Sequence, residues 1–92
     1  MRIEDLIWEN GGNVDHISRH NVTPDEVEEV CFSEYLYRQE TSQKYILSGQ
    51  SLSGRYLNVV VERIHKGLFR PITAFEMSEK DKKHIGKGWE GS

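Results

Sequence analysis

The side chains best suited to chemistry lie on two β-rich segments in the second half of the chain. Strand alternation places Tyr56 and Glu62 on one face of the first segment, and Arg70 can join them from the second. Such a face suits a phosphodiester, because arginine grips phosphate with two hydrogen bonds, tyrosine stacks on a base and a carboxylate moves protons. The alternative is an ordinary cross-strand ion pair on a solvated face, between Glu62 and either Arg70 or Lys66. Spacing alone favours the ion pair.

Histidines offer a second kind of chemistry. His16 and His20 are spaced i, i+4 and would share one helical face, which is a geometry of metal ligands. No glutamate completes an HExxH motif, however, and Cys31 has no cysteine companion. Structural or surface histidines are therefore favoured, and we expect neither a metal nor a cofactor. The glycines at Gly11 and Gly12 do not form a GxGxxG motif or a P-loop, and there is no GxSxG or CxxC motif, which likewise disfavours nucleotide-cofactor enzymes and serine hydrolases.

Length and composition indicate one small soluble domain. The chain has 92 residues, of which 36% are hydrophobic and 29% are charged, and this balance argues against disorder. Its single cysteine cannot form an internal disulfide, so nothing points to an oxidising compartment. No stretch has the apolar length of a signal sequence or the roughly 20 residues that span a bilayer. We therefore expect a cytoplasmic protein that does not associate with membranes.

Charge is distributed unevenly along the chain. The net charge of −3 gives no overall attraction to nucleic acid. Acidic residues concentrate in the first third, whereas basic residues outnumber acidic ones from Arg55 onward. A locally basic sheet face is therefore compatible with the acidic total.

Local signals at the start of the chain predict a short strand and a short helix. Residues 3–8 are apolar-rich and end at an Asn-Gly-Gly-Asn run, which favours a turn because glycine and asparagine accept positive φ. The last residue of that run, Asn13, is the predicted N-cap of a helix over residues 14–20.

A second helix has a stronger start signal. Thr23 is the predicted N-cap, Pro24 takes the first helical position, and Glu26 completes a T-x-x-E capping box. Val22 and Val27 occupy the positions of a hydrophobic staple. The segment SEYLYRQ that follows fits either the tail of this helix or an extended linker.

From Lys44 onward the hydrophobic pattern changes from the period of a helix to the two-residue period of strands. Three β-rich runs, KYILSGQ, RYLNVVVERI and LFRPITAFE, are separated by short turn-like connections, which join antiparallel neighbours. Alternation puts Phe69 and Phe75 on the same face of the last run, where phenylalanine can pack on helices.

A final helix, EKDKKHI, is predicted to begin after Ser78 and to end at Gly86. The predicted fold is α+β: a short N-terminal strand, two helices, a three-stranded antiparallel meander and a C-terminal helix. We expect one domain over residues 1–85 and a flexible C-terminal tail over residues 86–92.

The whole pattern resembles the BrnT family of bacterial toxins. The opening IWENGGNVDHISRHNVTPDEVEEV is similar to that family's aromatic-acidic strand end, short helix closing in a basic residue and histidine, and acidic-hydrophobic helix. The strand GRYLNVVV and the exit RPITAFEMSEKDKK follow in the same order, the latter resembling the family's R-I-I-S-A-R ending. The resemblance covers about residues 3–85.

This resemblance implies a RelE-like fold and a function. Members of the family are type II toxin–antitoxin ribonucleases, which cleave RNA without a metal and are neutralised by a cognate antitoxin. We therefore expect an RNA substrate, an antitoxin partner, and a homo-oligomer or a toxin–antitoxin hetero-oligomer. The residues of this chain that match the family's functional positions are His20, Arg55, Glu62 and Arg70.

The chain departs from the family pattern at the exit of the last strand. Phe75, Glu76 and Met77 follow Ala74, where the family has basic residues, and the chain is acidic overall. RNA binding depends heavily on cationic phosphate contacts, so these departures bear on catalysis more than on fold. They favour a second hypothesis, a catalytically degenerate toxin-like module that binds a protein partner.

Overall fold

The computed structural model describes residues 3–32, 37–41, 43–80 and 82–83, and of residues 37–41 it describes the backbone alone. In chain order its elements are β1 (Asp5–Leu6), α1 (Asn13–Ser18), α2 (Pro24–Phe32), β2 (Tyr37–Thr41), β3 (Lys44–Gln50), β4 (Tyr56–His65) and β5 (Leu68–Glu76). The predicted α+β class is confirmed.

The sheet is larger than predicted. Its five described strands run in the order β1-β5-β4-β3-β2, and β1 is parallel to β5 whereas the other neighbours are antiparallel. The prediction of a three-stranded antiparallel sheet is therefore wrong, although β3, β4 and β5 do form a meander at its centre. The last three residues of the undecided segment SEYLYRQ begin β2, in which Tyr37 pairs with Ser48 of β3. Residues 33–36 lie outside the described residues.

The predicted start of α2 is confirmed in detail. The Thr23 hydroxyl accepts a hydrogen bond from the Glu26 N–H at 3.2 Å, and the Glu26 carboxylate accepts one from the Thr23 N–H at 3.1 Å. This reciprocal pair is a capping box. Val22 and Val27, the predicted staple, are both buried. The helix then buries Val30 and Cys31 against the sheet.

One core joins the helices to one face of the sheet. Its sheet side comes from alternate residues of β3 and β4 together with two residues of β5: Tyr45, Leu47, Leu57, Val59, Val61, Phe69 and Ala74. Its helical side comes from Ile17, Val22, Val27, Val30 and Cys31. The segment between β1 and α1 lies close to β5, because the Ile7 N–H donates to the Phe69 carbonyl at 2.9 Å.

A β-bulge breaks the alternation of β5. Val60 pairs with Thr73 and Val61 pairs with Pro71, so Ile72 is the extra residue. Phe69 is buried before the bulge and Ala74 after it, whereas Phe75 is 38% exposed. The prediction that Phe69 and Phe75 share the core face is therefore wrong for Phe75, because a single inserted residue reverses the facing of every later side chain.

The predicted C-terminal helix lies only partly within the described residues. Glu79, Lys80, Lys82 and Lys83 are helical, and the Lys82 N–H donates to the Ser78 carbonyl at 3.0 Å. The remainder of that helix and the predicted tail over residues 86–92 are outside the described part. Among the described residues, no helix has the length and apolar character needed to cross a membrane.

Candidate functional site

An open depression lies where the segment leading into α1 meets β4 and β5. It has a volume of about 450 Å³ and is lined by Glu9, Gly12, Asn13, His16, Glu62, Arg70, Pro71 and Ile72. Two of the four residues that the resemblance implicated, Glu62 and Arg70, are in this lining.

Glu62 and Arg70 face each other across β4 and β5. The Glu62 carboxylate accepts a hydrogen bond from Arg70 Nη2 at 2.9 Å, and Arg70 Nη1 lies 4.0 Å from the carboxylate of Glu9. Lys44 of β3 is the register partner of Glu62 on its other side, so the carboxylate stands in a row between two cationic residues. The ion pair that spacing favoured is therefore present, and it lies in a concave site. We call Arg70, Glu62 and Glu9 the Arg70 cluster.

Asn13 fixes the segment that closes the depression. Its Oδ1 accepts a hydrogen bond from the Glu9 N–H at 2.8 Å, and its Nδ2 donates to the carbonyls of Ile7 at 2.8 Å and Pro71 at 2.9 Å. Asn13 was predicted to cap α1, but it is the first helical residue and α1 has no side-chain cap. The buried amide instead ties this segment to β5, and thereby positions Glu9 and His16.

The histidine in the depression is His16, and His20 lies beside it. The two rings are 5.5 Å apart in an edge-on arrangement, and the His20 ring is 6.5 Å from that of Phe75. Both histidines are exposed. The resemblance had indicated His20, whereas the geometry brings His16 together with Glu62 and Arg70.

Arg55 belongs to a separate group. Its Nη1 donates to both carboxylate oxygens of Glu26, at 3.0 and 2.9 Å, and to the carbonyl of Asn21 at 2.8 Å, while Nη2 donates to Glu76 at 3.4 Å. Desolvation lowers the pKa of Arg55, but the hydrogen bond and charge of Glu26, and then of Glu76, raise it overall. We call Arg55, Glu26 and Glu76 the Arg55 cluster.

The two clusters lie at opposite ends of the central strand. Arg55 immediately precedes β4, and Glu62 is seven residues further along, a separation of roughly 20 Å in an extended strand. Arg55 therefore does not converge with Glu62 and Arg70 on one phosphate. The structure brings together two of the four residues implied by the resemblance and places Arg55 among the contacts that join α2 to the sheet.

The described residues offer neither a metal centre nor a reactive thiol. No group of three or more histidine, cysteine, aspartate or glutamate side chains among them is arranged to hold a metal ion. Burial raises the pKa of the Cys31 thiol to about 12, and the charge of Glu28 adds to the rise. Cys31 is consequently protonated at neutral pH and is a poor nucleophile.

Three residues of the depression lay outside the site that the sequence suggested. Glu9 and Asn13 had been assigned only to a strand end and a helix cap, and His16 had been interpreted as a structural or surface histidine, with a metal ligand as the alternative. The one available signal was the Asn-Gly-Gly-Asn run, because asparagine side chains in turns hydrogen-bond to backbone groups. The sequence did not show that one of these groups belongs to β5.

Comparisons with protein-family models, with curated proteins and with solved structures gave no match.

Proposed function

We propose that the protein is a metal-independent endoribonuclease of the toxin type, which acts on cytoplasmic RNA and is neutralised by a cognate antitoxin. The observation that carries the proposal is the Arg70–Glu62 pair, at 2.9 Å, in an open depression that His16 also lines. RNA cleavage by an internal nucleophile needs a base, an acid and a cation for the developing charge, and a carboxylate, an imidazole and a guanidinium can supply them.

The chemistry divides among these three side chains. Glu62 takes the proton of an RNA 2′-hydroxyl, whose oxygen attacks the adjacent phosphorus. Arg70 donates hydrogen bonds to the phosphate oxygens as negative charge develops on them. The bond from phosphorus to the 5′-oxygen breaks, and imidazolium His16 gives its proton to that leaving oxygen. The products are a 2′,3′-cyclic phosphate and a free 5′-hydroxyl.

The arrangement of the fold supports the same proposal. Two helices packed on one face of a largely antiparallel sheet are what the resemblance to RelE-like toxins leads us to expect. An antitoxin, and a toxin–antitoxin hetero-oligomer, follow from that resemblance. In this proposal the partner keeps the ribonuclease inactive until it is removed.

The proposal is tested with purified protein and single-stranded RNA in the presence of a chelator. We expect fragments that end in a 2′,3′-cyclic phosphate, and growth arrest when the chain is expressed without an antitoxin. Glu62→Gln removes the base and should lower the rate roughly 100- to 10,000-fold. Glu76→Gln is the matched control, because it neutralises an exposed carboxylate that also pairs with an arginine but lies in the Arg55 cluster. Intact RNA together with normal growth would rule the ribonuclease out.

A specific observation favours a second candidate, a non-catalytic toxin-like module. Each of the two arginines already pairs with carboxylates, Arg55 with Glu26 and Glu76 and Arg70 with Glu62 and Glu9. Such pairing leaves less positive charge for RNA. This candidate predicts that alanine at Glu62 and Arg70 changes neither growth nor binding of the protein partner. The ribonuclease predicts loss of toxicity with partner binding retained.

A further inference from the structure

We infer that a nucleobase-binding subsite lies beside the depression, on a ring ridge formed by His16, His20 and Phe75. Its ligand is an unpaired base of single-stranded RNA, which stacks on the exposed ring of Phe75. The inference rests on the proposed ribonuclease function, because it names a part of the substrate that lies a few nucleotides from the cleaved phosphate.

The ridge is continuous with the depression. The His16 ring lines the depression, the His20 ring lies 5.5 Å from it, and the Phe75 ring lies 6.5 Å beyond His20. The interplanar angles are 62° and 60°, so successive rings present both edges and faces. A strand of RNA bound at Arg70 therefore has an aromatic surface along one side of its path.

Phe75 is placed to receive a base. It is 38% exposed, whereas Phe69, earlier on the same strand, is buried in the core. The bulge at Ile72 produces this difference, because it turns the later side chains of β5 to the other face. The strand rise puts Phe75 roughly 16 Å from Arg70 along β5, a span that a few nucleotides cover.

Stacking also suits the charge of this surface. Phe75 and Glu76 follow Ala74, so the residues at this end of β5 add no positive charge. Base–aromatic stacking needs no positive charge and accepts any base, since every base has a π-face. It requires unpaired bases, because the faces of paired bases are covered by their neighbours in a duplex.

The test measures binding of a fluorescently labelled 2′-O-methyl oligonucleotide, which has no 2′-hydroxyl and so is not cleaved. Phe75→Ala should weaken binding of the single strand by roughly fivefold or more, the loss expected for one base–aromatic stack. Phe75→Trp should restore binding, and Phe75→Leu, which keeps apolar bulk without a ring, should not. A duplex of the same sequence should bind all four proteins alike.

Phe32→Ala is the matched control, because Phe32 is 49% exposed at the end of α2, outside the ridge and the depression. Circular dichroism and thermal melting verify that each variant is folded. Cleavage of a dinucleotide, too short to reach Phe75, by the wild type measures the active site independently of the subsite. Dinucleotide cleavage by the wild type combined with unchanged binding by Phe75→Ala would overturn the subsite alone. A wild type that neither cleaves nor binds RNA would overturn the subsite and the proposed function together.

Discussion

The Arg55 and Arg70 clusters are built from the same parts, one arginine and two glutamates, but their surroundings differ. Arg55 is also bound to a backbone carbonyl, that of Asn21, and one of its glutamates belongs to the capping box of α2. Arg70 has a carboxylate partner at 2.9 Å and a looser one at 4.0 Å, and it borders an open depression. Arg55 joins α2 to the sheet, whereas Arg70 has fewer fixed partners and could donate to the RNA phosphate of the proposed function.

The contrast shows that the residue types in an ion pair do not by themselves reveal whether its role is structural or functional. In both clusters the arginine is partly exposed, with 31% of the Arg55 side chain and 44% of the Arg70 side chain accessible. The two clusters differ in the number of hydrogen-bond acceptors around the arginine guanidinium. The comparison predicts that changes in the Arg70 cluster affect reaction rate and that changes in the Arg55 cluster affect stability.

After Glu62→Gln, the largest expected effect is that of Arg70→Ala on catalysis. Loss of a guanidinium that stabilises charge on the phosphate should reduce RNA cleavage roughly 100- to 1,000-fold. The free energy of unfolding should change by less than about 1 kcal/mol, because exposed ion pairs contribute little. Single-turnover cleavage and urea denaturation measure the two quantities. A large loss of stability with unchanged cleavage would reverse the assignment of the clusters.

Asn13→Ala should have the next largest effect, and it should lower both the cleavage rate and the free energy of unfolding. It removes three hydrogen bonds of a buried amide and should cost about 2–3 kcal/mol of stability. Cleavage by the folded fraction should also fall about tenfold, because Glu9 and His16 lose their anchor to β5. Asn13→Asp is the matched variant: it keeps the acceptor for the Glu9 N–H but loses both donors. Full activity in both variants would show that the anchor does not position the site.

Arg55→Ala should lower stability by about 1–2 kcal/mol, since hydrogen bonds between charged partners are stronger than neutral ones but this side chain is partly solvated. Cleavage by the folded protein should stay within about threefold of the wild type, because Arg55 lies far along β4 from Glu62. Thermal melting and cleavage at a temperature below the transition check this. A drop in cleavage comparable to that of Arg70→Ala would show that both clusters act on the substrate.

Thr23→Ala should have the smallest effect, a loss of about 1 kcal/mol from the capping box. Because Glu26 serves both the box and Arg55, the losses in Thr23→Ala and Arg55→Ala should not be additive. A double-mutant cycle measured by urea denaturation gives the coupling energy. Thr23→Ser, which keeps the hydroxyl, should be nearly neutral. Strict additivity would mean that Glu26 contributes independently to its two partners.

Local signals predicted much of the helical half. The α2 start could be read from Thr23, Pro24 and Glu26 because a capping box involves only four consecutive residues. The three strands from Lys44 onward could also be predicted, from the alternation of their hydrophobic residues. The parallel pairing of β1 with β5 was not, since it joins segments some sixty residues apart and a two-residue strand has almost no pattern of its own.

The candidate site was only half predictable for the same physical reason. Glu62 and Arg70 belong to one hairpin, so their pairing follows from a short connection. Phe75 was assigned to the core because alternation assumes no bulge, and nothing in the sequence identifies Ile72 as the inserted residue. Glu9 and His16 join the site through Asn13, whose partner on β5 is a long-range contact.

The hydrogen bond between Asn13 and Pro71 can form only after both residues have been synthesised. These residues are 58 positions apart, and a ribosome adding about 5–20 residues per second needs roughly 3–12 s to pass from one to the other. During that interval the emerging chain contains the segment leading into α1, which forms one side of the depression, but lacks part of β5, which forms the other. The proposed ribonuclease would therefore lack a complete active site during that interval, and the proposed antitoxin would have those seconds to bind the emerging chain.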